Sequence, residues 1–463
     1  EKANSRLNQG GNDKFRIFSQ GETVYLPFSK APLHVRRVPV VNPTHEKIKV
    51  FVAATKRNLA WVWNPHITGA MALNSPNVWL WASENPSKFF RHISGKEFDR
   101  VLSSHLFQEE TEKFIKMTNE AQSPREIAYF CMEYGLMGSL RLYSGGLGIL
   151  AGDHLKTASD LKLSLAGVGL AYKYGYFTQK ISGDGRQEAH SEASAFRKLP
   201  MELVTNSNRQ RLLVCIPFYQ SKLYFQVWKV DVGRVPLYLL DTDVEENADE
   251  NRDLTNGLYM GDSDHRLKQE YLLGVGGYLM LKMLGLLPKV YHMNEGHAAF
   301  LGIARIYDLM KTEGLDYLSA LEYVRRSSVF TTHTPIPAGH DSFELARVQE
   351  ILAPFLGDSK VEMRTWVDLG KNKSNGRFSM TNLAIKTANR VNGVSKIHGV
   401  VSQEMFRSNY PGLIPNEVPV SGITNGVHPQ TWVAPEWQTL WFKHISNLWF
   451  EKLTDKELWL KAL

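Results

Sequence analysis

Ser144-Gly145-Gly146-Leu147-Gly148-Ile149-Leu150-Ala151-Gly152-Asp153-His154-Leu155 is the stretch on which the reading of the fold turns. The apolar run Ile127-Ala128-Tyr129-Phe130-Cys131 precedes it, and Leu150, Leu155, Ala158 and Leu161 recur at helical spacing. The segment therefore reads as a strand, a glycine-rich loop and a helix start. Three glycines in four positions leave little side chain between backbone and ligand, and the free N–H groups of a helix start favour an anion. The spacing G-G-x-G-x-x-x-G is not G-x-G-x-x-G, and no Gly-Lys-Ser/Thr follows, so neither common phosphate fingerprint is present. A turn whose glycines only allow close helix–sheet packing is the alternative, and the residues leave both open.

Outward from this stretch, short apolar runs alternate with helical ones. Strands are expected at 127–131, 165–171, 212–216, 223–230, 235–240, 289–292, 328–332, 390–394 and 420–423, and helices at 153–162, 264–285, 297–312, 316–326, 381–389 and 396–407. This rhythm predicts an α/β domain over 123–436 with a largely parallel sheet, and a β insertion near 203–240 that looks antiparallel. Ligands of open α/β sheets collect beyond the carboxyl ends of the strands. Those positions are polar: Glu133 and the glycine loop, Asp241 to Asp243, His292 to His297, His333-Thr334-Pro335, and Thr424 to Pro429. Converging Asn, His and Asp side chains suit a polyhydroxylated ligand, whose hydroxyls need paired donors and acceptors.

Toward the amino terminus, 50–122 reads as a helical unit punctuated by Asn64-Pro65, Asn74-Ser75-Pro76 and Asn85-Pro86. Four of the eleven tryptophans fall here (Trp61, Trp63, Trp79 and Trp81), and core packing is the default reading over a sugar-stacking platform. Residues 1–49 read as an irregular segment with short strands broken by prolines, and 437–463 as a tryptophan-rich helical stretch that stops without a cap.

The length of 463 residues suggests two or three domains, and the composition is that of a soluble globular protein. No apolar run spans a membrane, and no secretory signal opens the chain, although it begins at Glu1 rather than Met. Cys131 and Cys215, inside apolar segments, point to a reducing compartment, so a cytoplasmic location is expected. The net charge of +7 allows attraction to anions, while its scattered basic residues argue against nucleic acid. His292, Glu295 and His297 lack metal-site spacing, so no metal is expected there. A structural role is the default for His333. Glu133, Glu295 and Asp341 could supply a carboxylate pair for glycoside hydrolysis, but their separation cannot be read from sequence. No G-x-S-x-G elbow is present.

At these residues the chain resembles the amino-terminal part of an α-glucan phosphorylase (glycogen or maltodextrin phosphorylase) of the shorter bacterial and archaeal type. The resemblance covers about residues 55–463. It is carried by Asn58 to Pro65, Tyr143 to Asp153, Tyr174 to Gln179, Arg266 to Tyr271, His292 to His297, Thr332 to Pro335, Val391 to His398 and Thr424 to Trp432. It implies a GT-B fold of two domains, of which the amino-terminal Rossmann-like one is here, preceded by the small helical unit. It also implies a pyridoxal 5′-phosphate coenzyme whose phosphate takes part in proton transfer, and orthophosphate attack on a terminal α-1,4 glucosyl unit of a glucan or maltodextrin. Glucose 1-phosphate would leave with retained configuration. By motif match, Gly146 and Leu147 would offer amides to phosphate and glucosyl, His333 would contact the glucosyl unit at the cleavage point, and Asn425 its 6-hydroxyl. Trp432 would lie beside the coenzyme, and Glu295 and His297 near the sugar. The second GT-B domain is expected to be absent, and with it the lysine that bonds the coenzyme and the basic residues that bind phosphate. The chain alone is then expected to be inactive. Residues 1–49 fit the family pattern poorly. A homodimer is expected, since members commonly form one. The competing readings are a non-catalytic glucan or sugar-phosphate binding module and another GT-B glycosyltransferase that uses a nucleotide sugar.

Overall fold

The computed structural model describes residues 46–82, 85–120, 124–336 and 339–462. Of the irregular segment expected over 1–49, residues 1–45 lie outside the described residues, and 46–49 instead open the helix Glu46–Thr55. Helices Pro65–Asn74, Pro76–Trp81 and Pro86–His92 each begin on one of the prolines that punctuate this region. Proline at a first helical position loses no hydrogen bond and has its φ preset. Asn64 and Asn85 cap their helices, the Asn64 Oδ1 accepting from the amides of His66 and Ile67 at 3.1 Å each. Ser94 and Glu97 form a reciprocal capping box on Gly95–Ser103. The helices bury an aromatic core of their own. Phe51 meets Phe90, Phe107 and Phe114 edge-on, and Trp61 lies T-shaped against Trp79. Trp63 is buried too, whereas Trp81 is exposed against His92.

The rest is built on a ten-stranded sheet. Its strands are β1 (Ile127–Phe130), β2 (Leu165–Leu170), β5 (Glu202–Leu203), β6 (Leu213–Phe218), β7 (Ser221–Val232), β8 (Val235–Asp241), β9 (Val290–Asn294), β10 (Ser328–Thr332), β13 (Arg390–Gly393) and β14 (Val420–Gly422). Two small antiparallel pairs complete the set, β3 (Thr178–Ile181) with β4 (Gln187–His190) and β11 (Ser342–Phe343) with β12 (Phe378–Ser379). The order is β14-β13-β10-β9-β1-β2-β8-β7-β5, with β6 beside β7. From β14 to β8 every neighbour is parallel. Beyond β8 the pairing turns antiparallel. In the β region expected near 203–240 the antiparallel pairing is present: β5, β6 and β7 lie between the parallel neighbours β2 and β8 in sequence and extend the same sheet beyond β8. Strands β2 and β8 are buried at every residue, which is why each reads as an unbroken apolar run.

Two expected helices change shape. The one expected over 153–162 runs from Gly146 to Asp160, its early glycines included. The one expected over 264–285 is divided by a π-turn, Leu272–Gly276, between Ser263–Tyr271 and Gly277–Met283. A Cβ on Gly274 would stand 2.7 Å from the Leu301 amide, so the widened turn lies where this helix packs closely on the start of the helix Phe300–Thr312. No helix of the described residues is long and apolar enough to cross a membrane. Cys131 is buried, and burial pushes its thiol up to about 12. Cys215 lies on a strand that alternates its faces and is exposed, contrary to its apolar surroundings in sequence.

The helical unit is stitched to this sheet. Asn58 pairs with Asp231 in a parallel bridge, and its side-chain amide donates to the Gly233 carbonyl at 2.7 Å.

Candidate functional site

Strand β1 is where the sheet order reverses: the chain first adds β2 and β8 on one side, then returns to place β9 and β10 on the other. Ligand clefts form at such switch points. The glycine-rich helix begins just beyond β1, and its glycines divide the two roles between them. A Cβ on Gly152 would stand 1.9 Å from the Gly135 carbonyl oxygen, and one on Gly148 would stand 2.3 Å from the Tyr143 Cβ, so these two allow close packing. Gly145 and Gly146 have open space where a Cβ would go. Their side of the loop stays accessible, and the amides of Gly146 and Leu147, in the first turn of the helix, have no intrahelical acceptor.

Strands β9 and β10 supply the opposite wall. Glu295, directly after β9, has φ +70° and is buried. Its Oε1 accepts from the amides of His333 at 2.5 Å and Thr334 at 2.9 Å, and from the Thr334 hydroxyl at 3.2 Å. A non-glycine residue in the left-handed region is strained, and here the bonds from the neighbouring loop hold it. Burial drives the Glu295 carboxyl up, but His297 and the His333 amide outweigh it and hold it below its ordinary value. His333 sets its Nε2 2.6 Å from the Asn294 Oδ1, and burial lowers its pKa. His297 lies 3.4 Å from Asp341, and burial, with Arg266 nearby, lowers it to about 4. Both rings are therefore neutral at pH 7, each with a donor and an acceptor.

The back wall is Arg266, its guanidinium over the Tyr259 ring at 4.7 Å, 3.1 Å from Glu270 and 3.4 Å from Asp341. Glu270 is fully buried, and burial raises its carboxyl well above the ordinary range. Glu270, His297 and Asp341 approach within 4.8 Å of one another, as metal ligands would. The guanidinium already bonds both carboxylates and would repel a cation there. The trio weighed from sequence does not converge: His292 turns to the Thr331 hydroxyl at 2.8 Å, away from the partners of Glu295 and His297, and burial takes it to about 3. The carboxylate-pair reading meets a similar obstacle. Both oxygens of Glu133 and Glu295 accept hydrogen bonds, and Asp341 is held by Arg266 and His297, so none of the three is a free general acid or base.

These groups enclose a cleft of about 480 Å³. Leu147, Glu295, His297 and His333 all line it, joined by Tyr259, Arg266 and Asp341. Gly146 is exposed next to Leu147. Asn425 and Trp432 are not among the lining residues. Asn425 is exposed, its amide donating to the Val394 carbonyl at 3.0 Å. Trp432 is 53% exposed, its indole fixed by a 2.7 Å bond from Nε1 to Asp153 on the glycine-rich helix. Beneath it His428 bonds Asp160 at 2.9 Å, and Lys156, 2% exposed, reaches the Thr431 hydroxyl at 3.1 Å. Burial brings the Lys156 amine down to about 8. Tyr259 and Arg266 line the cleft and Glu270 is buried against Arg266, and sequence reasoning left all three without a role. The available signal was a charged i, i+4 pair, Arg266 and Glu270, on a helix that continues into an apolar run.

Residues 244–458 match the family model described as carbohydrate phosphorylase. Residues 51–140 match one described as protein of unknown function (DUF3417). The chain is 41% identical over 429 residues to the maltodextrin phosphorylase of Thermococcus litoralis, covering 87% of this chain and 51% of that one. It is 39% identical to a glycogen phosphorylase of Mycobacterium tuberculosis (83% and 48% covered) and 33% identical to that of Aquifex aeolicus (89% and 60%). The chain thus spans about half the length of the curated relatives it matches.

Proposed function

We propose that this chain, whose residues 244–458 match the carbohydrate phosphorylase family, carries the glucosyl-binding half of an α-1,4-glucan phosphorylase. The observation that carries the proposal is the meeting of Leu147, Glu295, His297 and His333 in one cleft at the switch point of the sheet. Neutral imidazoles and open amides give a glucosyl unit paired donors and acceptors. His333, oriented through Asn294 and Glu295, contacts the sugar at the cleavage point, and Gly146 and Leu147 offer amides to oxygens that gain charge there. Asn425 takes the 6-hydroxyl from the loop after β14. In the reaction the bond from glucosyl C1 to the glycosidic oxygen breaks and one from C1 to a phosphate oxygen forms with retention. The departing oxygen takes a proton.

Pyridoxal 5′-phosphate belongs to this reading. The half-exposed Trp432 indole, locked by Asp153, offers a fixed face for an aromatic ring and so fits the coenzyme. When bound, the coenzyme supplies its phosphate for proton transfer. We assign the helical unit to 50–122, the Rossmann-like GT-B domain to 123–436 and a helical segment to 437–463, and infer a cytoplasmic homodimer, for which the family resemblance is the support.

The test is calorimetric titration of the purified chain with glucose and with maltooligosaccharides, in wild type and His333→Ala. Saturable binding that falls about tenfold or more in the variant supports the reading. Equal binding by both proteins overturns it.

A further inference from the structure

Asn-Gly occurs four times in the chain, at Asn256-Gly257, Asn375-Gly376, Asn392-Gly393 and Asn425-Gly426. This dipeptide can react with itself. Glycine has no Cβ to block its nitrogen from the preceding side-chain amide, and its backbone turns easily into the geometry that attack needs. What holds the two groups then decides whether a given pair reacts.

Three of the pairs are held. The Asn256 side-chain amide donates to Asp253 at 2.6 Å, and a Cβ on the buried Gly257 would stand 1.9 Å from the Met260 sulfur. Gly376 donates its N–H to the Asn372 carbonyl at 2.9 Å, while the Asn375 Oδ1 accepts from the Arg377 amide at 3.0 Å. Asn392 is buried within β13 and accepts from the Thr331 hydroxyl at 2.9 Å. The fourth pair differs on every count. Asn425 and Gly426 are both exposed, in irregular backbone. A Cβ on Gly426 would meet nothing within 4 Å. Among the described residues, neither the Asn425 side chain nor the Gly426 N–H has a hydrogen-bond partner; the bond that Asn425 makes, to the Val394 carbonyl, uses its own backbone amide.

We propose that Asn425 is a site of spontaneous deamidation. The Gly426 nitrogen bonds to the Asn425 Cγ as the bond from Cγ to the side-chain nitrogen breaks. That nitrogen leaves as ammonia with the proton that Gly426 gives up. Water then opens the cyclic imide at one carbonyl to give aspartate, or at the other to give isoaspartate. Either product replaces an amide that donates hydrogen bonds with a carboxylate that only accepts them. Isoaspartate also lengthens the backbone just ahead of His428, whose amide Asp153 holds. Loss of the 6-hydroxyl contact as the protein ages is the consequence that rests on the sugar-binding reading above; the deamidation itself does not.

The experiment incubates the purified chain at mildly alkaline pH, native and in urea. Peptide mapping with isoaspartyl methyltransferase labelling then scores each pair against its own rate in urea. Native Asn425 should stay within about threefold of that rate, and the other three should fall about tenfold or more below theirs, because each must first break its local bonds. Protection of Asn425 equal to that of the other pairs overturns the proposal. Gly426→Ala adds a methyl that meets nothing in the fold but hinders the attacking nitrogen, and should slow conversion at Asn425 about tenfold. An unchanged rate in that variant also overturns it. Glucose binding, followed by calorimetry, should fall in step with conversion. Conversion without loss of binding supports the deamidation and removes Asn425 from the sugar contact. Fresh protein that binds no glucose sinks the sugar reading, while the peptide map still judges Asn425.

Discussion

Gly152→Ala adds one methyl group to the glycine-rich helix. That methyl would lie 1.9 Å from the Gly135 oxygen and 2.6 Å from its carbonyl carbon. Both are backbone atoms, so no side chain can swing aside. Relief to even a tight contact needs the helix to retreat from the segment after β1 by about 1 Å. Overpacking that side chains can absorb costs ~1–3 kcal/mol. This case falls at or above the upper end, because the amide of Gly135 also bonds the Gly148 carbonyl at 2.7 Å across the same contact. Alanine returns up to ~1 kcal/mol through helix propensity. The net expectation is destabilisation on the order of 3 kcal/mol, a fall in Tm of roughly 3–6 °C by scanning calorimetry. Gly146→Ala is the paired control. Its methyl meets nothing within 4 Å, so stability should stay within about 0.5 kcal/mol of wild type while glucose binding falls, since the methyl occupies the open side of the loop. A Gly152→Ala protein with the wild-type Tm would refute the packing argument. A destabilised Gly146→Ala protein would refute the division of roles among the glycines.

Three further predictions concern the site and its support. Glu295→Gln removes the charge that holds the amides of His333 and Thr334, and should weaken glucose binding by about 2 kcal/mol in calorimetry; an unchanged Kd would remove Glu295 from its positioning role. Asp153→Asn loosens its bonds to the Trp432 indole and the His428 amide, and should red-shift tryptophan emission and expose the loop from Asn425 to Trp432 to protease; an unchanged cleavage pattern would count against the anchor. Lys156 has a folded-state pKa of about 8 against 10.5 for the free amine, so between these values the unfolded chain binds more protons. Stability should therefore gain up to ~1.4 kcal/mol per pH unit from this group as pH rises from 8 toward 10.5, a contribution missing from Lys156→Met. Parallel stability curves for the two proteins across that window would contradict it.

Much of the parallel sheet was legible because strands such as β2 and β8 pack on both faces and leave continuous apolar runs in the sequence. The placement of polar loops after β9 and β10 followed from the same rhythm, and it put Glu295, His297 and His333 on one rim. The start of the glycine-rich helix was read seven residues late, since glycine's poor propensity conceals a helix that close packing demands. The helices Leu345–Leu352 and Met363–Asp368 and the exposed hairpin of β3 and β4 were missed, being short elements outside the strand–helix alternation. The partners of Glu133 were beyond reach for another reason. Tyr259 lies 126 residues away, and nothing local marks two side chains that meet only across a cleft.

The path of the chain through the sheet also has a consequence for synthesis. Residues of β1, β2 and β8 leave the ribosome first and lie side by side, whereas β9, β10, β13 and β14 join the opposite edge afterwards. Asp153, Lys156 and Asp160 meet His428, Thr431 and Trp432 across as many as 279 residues. At ordinary elongation rates that interval is roughly 15 to 55 s. Until β9 emerges one edge of β1 is unpaired, and for the whole interval the inner charges of the glycine-rich helix lack these partners. Stalled nascent chains ending before His428 should accordingly remain open to protease along that helix, and longer ones should be protected. The anchor of the loop that carries Trp432 is thus a late product of translation, added to a sheet that must stay soluble without it.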